Sequence, residues 1–176
     1  MRLSIIFILI VFTSCNSSEG TKTSNQFFQV KEYFNKQAEV LQKNNIHLQK
    51  SINRDHKEES KNIVTVDWKK ELRPFEDCDL NKPAWKKSYK ADTFHLSNQT
   101  QLIYTALEPK LSVRKLEVIL CADTIFMVNI LIEKKNAYYQ SSQRLHYEPW
   151  KVYTVIGSQK VILANPTNFN IKATFQ

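Results

Sequence analysis

The second half of the chain consists of short segments that favour β-strands. From Ser88 onward, runs rich in β-branched and aromatic residues alternate with short polar stretches. We predict strands near residues 88–96, 101–108, 112–121, 124–134, 137–147, 150–162 and 168–175. Several connections between them have hairpin length, and strands joined so tightly must be antiparallel neighbours. The pattern therefore predicts an antiparallel meander.

One of these segments is more apolar than the others. Residues 125–132 are apolar on both faces of a strand, apart from Asn129. This composition is typical of a central strand that is covered on each side. We therefore predict that the strand near residues 124–134 is buried on both faces.

Glycine is scarce, which limits both the turns and the function. The chain has only Gly20 and Gly157, against an expectation of roughly 7% of residues. A glycine-rich phosphate loop, a dinucleotide fingerprint and a nucleophile elbow all need more glycines than this. The turns must instead use Asn, Asp, Ser and Lys.

An amphipathic helix is predicted over residues 25–43. Thr23 and Gln26 have capping-box spacing, and Asn44-Asn45 is a natural end. One helical face is apolar along its length, through Phe27, Val30, Phe34, Ala38, Leu41 and Leu48. Because its polar faces mix Glu with Lys and its apolar stripe is narrow, packing on a sheet is favoured over lying on a membrane.

Between this helix and the meander we expect a hairpin and a short helix. Residues 46–51 and 58–66 are consistent with two strands, and Asp67 can cap a helix whose apolar face includes Trp68. Pro74 predicts that this helix kinks or ends near Arg73. The fold class is therefore α+β, a curved antiparallel β-sheet meander packed against an N-terminal amphipathic helix, in a single domain over residues 25–176.

A partial calcium-loop pattern follows the short helix. Asp77, Asp79 and Asn81 match the first three ligand positions of such a loop. Lys82 stands where the loop needs glycine, and Ser88 stands where it needs a bidentate glutamate. The segment is better explained as a turn that Asp79 or Asn81 ties through the backbone.

The N-terminus has the pattern of a signal peptide. Arg2 is followed by an apolar run over residues 5–12 and by the small residues Thr13 and Ser14. The run is too short to span a bilayer, which needs about 20 apolar residues.

Residues Phe12-Thr13-Ser14-Cys15 resemble the signal-peptide end of bacterial lipoproteins. The resemblance implies a signal peptide over residues 1–14 and a diacylated Cys15. Residues 15–24 are then a lipidated tether, because the stretch after Cys15 is rich in Ser, Thr and Asn and lacks apolar periodicity. It also implies a cell-envelope location, and Asn16 in place of the aspartate typical of inner-membrane retention favours the outer membrane. The alternative is an ordinary secreted protein with an incidental cysteine.

The net charge then limits which classes of binding partner we expect. The formal charge is +8, which in a cytoplasmic protein would suggest nucleic acid. Outside the inner membrane we expect no nucleic acid. The predicted partners are the membrane itself through the N-terminal lipid, anionic lipid or lipopolysaccharide, and an acidic face of an envelope protein. A solvated surface without a charged partner is the alternative.

The resemblance also gives the two remaining cysteines an oxidising compartment. Cys78 and Cys121 lie 43 residues apart and could form a disulfide there. The alternative is a pair of buried thiols that act as small hydrophobic side chains.

No residue pattern indicates catalysis, a metal or a cofactor. His47, His56, His95 and His146 lack the paired spacing of zinc ligands. The acidic residues of the strand region are scattered along it: Glu108, Glu117, Asp123, Glu133 and Glu148. An aromatic group is better explained by cross-strand packing than by an exposed contact surface; it comprises Tyr138, Tyr139, Tyr147, Trp150 and Tyr153.

The function that these features favour is a lipid-anchored, non-enzymatic interaction or assembly module of the cell envelope. The alternative is a carrier that binds a lipid or another hydrophobic ligand in a cavity between sheet and helix. A third hypothesis, a hydrolase, requires clustered ionisable groups in a cleft.

Overall fold

The computed structural model describes residues 26–176. This part of the chain contains two α-helices, α1 Val30–Lys43 and α2 Trp68–Glu76. It also contains nine strands: β1 Leu48–Arg54, β2 Lys57–Ile63, β3 Tyr89–Leu96, β4 Gln99–Ala106, β5 Val113–Cys121, β6 Thr124–Lys135, β7 Tyr139–Glu148, β8 Val152–Val161 and β9 Thr167–Phe175. Neither helix is long and apolar enough to cross a bilayer.

All nine strands belong to one antiparallel sheet. Their order is β2-β1-β9-β8-β7-β6-β5-β4-β3, so β3 to β9 form a continuous meander. The hairpin of β1 and β2 joins this meander through the pairing of β1 with β9. Two helices with a mostly antiparallel sheet confirm the predicted α+β class.

The core lies between the two helices and one face of the sheet. Phe34 of α1 contacts Tyr147 of β7, with ring centroids 5.1 Å apart. Phe75 of α2 stacks on Phe34 at 4.9 Å and contacts Tyr153 of β8 at 5.8 Å. We call this face the core face. Its aromatic side chains exclude water from the contact between helices and sheet, which is the main source of stability in such a layer.

The other face of the sheet, which we call the open face, has no helix over it in residues 26–176. Along β6, Val128 and Ile130 are buried on the core face. Met127 and Leu131, on the open face, are only half-buried. The prediction that this strand is covered on both faces was therefore wrong. Apolar side chains are tolerated on the open face because their neighbours on adjacent strands shield them in part.

Helix α1 begins at Val30, whereas the predicted range starts at residue 25. The backbone before it is bound elsewhere, because Asn81 Oδ1 accepts a hydrogen bond from the Phe27 N–H at 3.1 Å and Asn81 Nδ2 donates to the carbonyls of Phe27 and Phe28. These bonds hold the backbone of Phe27 and Phe28 in a non-helical course before Val30. Thr23, the expected cap, lies outside the described residues.

Helix α2 continues past the residue at which Pro74 was expected to end or kink it. Asp67 caps it as predicted, since its side chain accepts a hydrogen bond from the Lys70 N–H at 3.1 Å. Pro74 lies inside the helix, which ends at Glu76. A proline so close to the end removes a single backbone hydrogen bond, and the fully buried Phe75 holds the last turn against the core.

The tight turns use residues other than glycine, as the composition predicts. Asp55 and His56 both have positive φ between β1 and β2, and so do Ala122 and Asp123 between β5 and β6. Two consecutive residues of this kind form the hairpin turn whose twist matches the flanking strands. Aspartate tolerates this backbone conformation better than most side chains do, whereas alanine has no such advantage.

Candidate functional site

Five polar side chains form a continuous row across the open face. The row runs over four neighbouring strands, β4 to β7, and strand register sets it up. Glu117 lies directly opposite Asn129, and Asn129 lies directly opposite His146. Residues paired in this way project from the same face with their Cβ atoms about 5 Å apart. We call this set the polar row: Gln101, Glu117, Asn129, His146 and Glu148.

Hydrogen bonds connect every member of the polar row. Gln101 Nε2 donates to Glu117 Oε1 at 2.6 Å, and Asn129 Nδ2 donates to Glu117 Oε2 at 2.9 Å. His146 Nδ1 lies 2.7 Å from Asn129 Oδ1, and its Nε2 lies 3.1 Å from Glu148 Oε1. A network in which each side chain has a fixed partner holds its charges at defined positions.

The donor and acceptor roles in this network follow from its two carboxylates, Glu117 and Glu148. A carboxylate only accepts hydrogen bonds, so Asn129 must turn its amide nitrogen to Glu117 and its oxygen to His146. That oxygen requires a proton on His146 Nδ1, and the Glu148 carboxylate requires one on Nε2. All the bonds are therefore satisfied when the imidazole carries both protons and a positive charge.

The two carboxylates of the row are stabilised in their charged form. Burial acts to raise the pKa of Glu117, but the hydrogen bonds from Asn129 and Gln101 and the nearby Lys115 ammonium outweigh it and leave the pKa lower than usual. For Glu148, the hydrogen bond from His146 is the main cause of a lowered pKa. These two carboxylates therefore carry negative charges at neutral pH.

A groove lies beside the polar row on the open face. One hollow of about 340 Å³ is lined by row members and by Lys115, Leu131, Arg144 and Ile156. A second hollow of about 380 Å³ shares Arg144 and Ile156. Its polar lining comes from strands β1, β7, β8 and β9, through Asn53, Ser142, Ser158, Asn168 and Asn170, and from Asp55 and His56 of the β1–β2 turn. We call the two hollows together the sheet-face groove.

Arg144 occupies the junction of the two hollows. Its side chain is exposed, and it forms no ion pair with another residue of the described chain. A guanidinium presents several donors in a fixed planar geometry that suits a carboxylate or a phosphate. The groove therefore combines an available cation with amide and hydroxyl groups, which is suited to binding a polar, acidic partner. Within residues 26–176, no group of three His, Cys, Asp or Glu side chains could hold a metal ion.

The predicted lipidation residue, Cys15, lies outside the described residues. Cys78 and Cys121 are both free thiols in the structure. Cys78 lies beside Val113 at the start of β5, and Cys121 ends that strand eight residues later. The two thiols are therefore not bonded to each other in the described fold.

Cys78 behaves as a buried hydrophobic side chain. Burial raises the pKa of its thiol to about 12, and its Sγ donates to the Pro74 carbonyl at 3.2 Å. A thiol in this state is a poor nucleophile. Cys121 is half-buried at the β5–β6 hairpin.

The aromatic group divides between the core and the surface. Tyr147 and Tyr153 are buried in the core, and the Tyr147 hydroxyl donates to Gln37 Oε1 of α1 at 3.0 Å. The packing role therefore holds for these two residues. Tyr138 and Trp150, by contrast, are exposed in turns, because a hairpin tip has no neighbouring layer to pack against.

Sequence reasoning missed the polar row, although Asn129 was visible as the one polar residue in an apolar strand. The pairing that places Glu117 beside it depends on a β-bulge. Ala122 and Asp123 form a two-residue turn that pairs Cys121 with Thr124, and the register shifts by one between Ile119 and Leu120. Without that shift Glu117 would lie opposite Val128 on the core face. Bulges of this kind are not readable from the residues.

Comparisons with protein-family models, curated proteins and solved structures give no match.

Proposed function

We propose that this protein is a lipid-anchored cell-envelope protein, held at the outer membrane through Cys15, that acts as a non-enzymatic interaction or assembly module. The observation that carries the proposal is a nine-stranded sheet with helices on one face and an ordered polar surface on the other. A fixed, charged surface next to a groove is the arrangement expected where a protein meets a specific partner.

In this proposal the architecture is a curved antiparallel meander packed against an N-terminal amphipathic helix. Support comes from the contacts of Phe34 with Tyr147 and of Gln37 with the Tyr147 hydroxyl. Such packing on one face leaves the open face for the partner. The N-terminal tether then has only to keep the domain near the membrane.

The partner that the groove fits best is an acidic segment of another envelope protein. Arg144 supplies the central cation, whereas Lys115, on the rim of the groove, already pairs with Glu117 at 3.5 Å. Asn53 and Asn170 add neutral groups that can hydrogen-bond an extended backbone. The neighbouring Glu148 and Glu117 set the register of the bound segment, because they repel an acidic residue of that segment when it is shifted by one site.

The packing of the core favours this module over the carrier of a hydrophobic ligand. A carrier needs an empty apolar cavity between helix and sheet. The space between them is filled by large side chains with less than 2% exposure: Trp68, Tyr147, Tyr153, Phe34 and Phe75. A ligand there would have to displace aromatic contacts of 4.9–5.9 Å.

The anchor is tested with a Cys15→Ser variant in cells fed a radiolabelled or clickable fatty acid. We expect the parent chain to carry the label and to fractionate with membranes, and the variant to lose the label. A parent chain without label, or a variant that fractionates and labels like the parent, would contradict the anchor.

The groove is tested by capture of partners from detergent-solubilised envelope with an Arg144→Glu variant. The matched control is Lys69→Glu, the same charge change at an exposed position in the first turn of α2, where an acidic residue is well tolerated. We expect the parent and the control to recover the same specific protein and Arg144→Glu to recover little of it. Equal recovery by all three, or no specific protein with the parent, would overturn the proposed groove.

A further inference from the structure

The tip of the β8–β9 hairpin exposes an unusual run of apolar side chains. The exposed fractions are 38% for Val161, 55% for Ile162 and 102% for Leu163. The neighbouring β6–β7 hairpin adds Tyr138, which is 70% exposed and accepts a hydrogen bond from the Ile162 N–H at 2.9 Å through its carbonyl. We call these four residues the apolar tip. Three consecutive exposed apolar residues at a hairpin tip lower the solubility of the protein and add no packing to its core.

The backbone conformation of the turn contributes to the exposure of the tip. Leu163 has a φ of +62° and is one of eight residues other than glycine with positive φ in the described chain. Its side chain has no packing neighbour to cover it, since its exposed fraction is 102%.

Two lysines lie behind the apolar tip. Lys135 and Lys160 both pair with Gln140 from either side of β7, so they lie on the same face just behind the tip. Neither forms an ion pair with any residue in the described range 26–176. Glu133, on the same strand as Lys135, lies 3.8 Å from Arg114, and Asp55 accepts a hydrogen bond from the Asn168 N–H.

Apolar side chains that project beyond a pair of lysines match one environment closely. At an anionic bilayer surface the apolar groups enter the boundary between headgroups and acyl chains, and the lysines remain among the lipid phosphates. A protein pocket could accept the apolar groups but would have to supply its own acidic rim. The charge pattern therefore favours the lipid surface.

We propose that the apolar tip is a second membrane contact, in which Ile162 and Leu163 insert shallowly into an anionic bilayer while Lys135 and Lys160 bind its headgroups. This contact deepens the proposed membrane attachment, but it does not require acylation of Cys15. Together the anchor and the tip fix the orientation of the domain, because two points of attachment restrict how the sheet can turn above the membrane. The open face would then hold a constant angle to the bilayer.

The contact is tested by quenching of tryptophan fluorescence with brominated lipids. The full chain, purified from membranes with its processed N-terminus, is reconstituted into vesicles of phosphatidylethanolamine and phosphatidylglycerol. The probe variant is Leu163→Trp, and the matched control is Leu96→Trp. Leu96 is a leucine with 60% exposure at the opposite edge of the sheet, next to the β3–β4 turn. The emission of the parent, which contains the three native tryptophans, is subtracted from both.

We expect brominated acyl chains to reduce the added emission of Leu163→Trp by about two-fold or more, as for a side chain at the acyl boundary, and to leave Leu96→Trp nearly unchanged. Adding Lys135→Glu and Lys160→Glu to the probe variant should remove most of this quenching. Thermal unfolding of each variant establishes that it is folded before the comparison.

No quenching at position 163, or equal quenching at positions 163 and 96, would overturn the tip contact. Quenching that the two lysine substitutions leave unchanged would overturn the headgroup part. Mass spectrometry of the same preparation reports whether Cys15 is acylated, so the two proposals fail separately. An acylated chain without quenching at the tip retains the anchor and loses the tip contact.

Discussion

Glu117 is the residue that fixes the polar row. It accepts from both Gln101 and Asn129, and these bonds stabilise its charged form enough to lower its pKa against the effect of burial. A carboxyl group whose pKa is lower in the folded state than in the unfolded one stabilises the fold above its unfolded value of about 4.5. That contribution disappears as the pH falls through the lower, folded pKa.

We therefore expect Glu117→Gln to reduce the free energy of unfolding at neutral pH and to have a smaller effect in acid. The measurement is urea unfolding of parent and variant at pH values above and below about 4.5. Glu59→Gln, at an exposed position on β2, is the control and should change little at either pH. A difference between Glu117→Gln and the parent that stays constant across this range would refute the role of the charge.

Ala122 shows the cost of building a hairpin almost without glycine. Its φ is +45°, and an L-residue with a Cβ pays about 1–2 kcal/mol for the left-handed conformation. Since Ala122 is exposed, replacing it loses no packing. Glycine relieves the strain, but the greater freedom of the unfolded chain offsets up to ~1 kcal/mol of the stability gained.

We expect Ala122→Gly to raise the free energy of unfolding by about 0.5–1 kcal/mol. Thermal or urea unfolding measures this directly. Ala91→Gly, at an exposed position within β3, should instead lower stability, because the backbone of a regular strand gives glycine no advantage. Destabilisation by both substitutions would mean that the turn is not strained.

At the scale of elements, β8 depends on a glycine for close packing with its neighbours. A Cβ atom at position 157 would lie 2.7 Å from Phe169 Cζ and 2.8 Å from the Ser142 carbonyl oxygen. The phenyl ring can move, but the carbonyl belongs to the paired strand β7 and cannot. The only glycine in the described part of the chain therefore serves close approach rather than a turn.

We expect Gly157→Ala to lower the free energy of unfolding by about 1–3 kcal/mol, the usual cost of overpacking. Urea unfolding is the measurement, and Ser158→Ala, at the next, exposed position of β8, is the control. A stability within 0.5 kcal/mol of the parent, the range typical of ordinary surface substitutions, would show that β7 and β8 can separate without cost.

The positions of strands β3 to β9 could be predicted from the sequence because alternation and turn residues are local signals. The ends of the helices could not, because they depend on distant partners. Asn81 lies more than fifty positions from Phe27, yet its side chain binds the Phe27 backbone and delays the start of α1. Phe75, buried against Phe34, likewise carries α2 past Pro74.

For the whole molecule, the two helices and the sheet share a single aromatic core. Phe34 contacts α2 through Phe75 and the sheet through Tyr147. Removal of a side chain that joins all three parts should weaken them together rather than release one helix. The described chain is therefore expected to unfold as one cooperative unit.

We expect Phe34→Ala to lower the free energy of unfolding by about 3–5 kcal/mol, with a single transition in which far-ultraviolet circular dichroism and tryptophan fluorescence coincide. Phe94→Ala, which removes an exposed ring on β3, should leave stability almost unchanged. Two separate transitions in the parent would show instead that the helices and the sheet are independent.

The sequence by itself determined the α+β class, the antiparallel meander and turns made without glycine, because periodicity, connection length and composition act over a few neighbouring residues. Only the tertiary structure decided that β1 pairs with β9, that Cys78 and Cys121 are free thiols, and that one face of the sheet is open, because strand order and helix packing depend on contacts between distant residues. It also brought Glu117, Asn129 and His146 into one row. The row depends on the register between strands, which one bulged residue shifts and which no local pattern encodes.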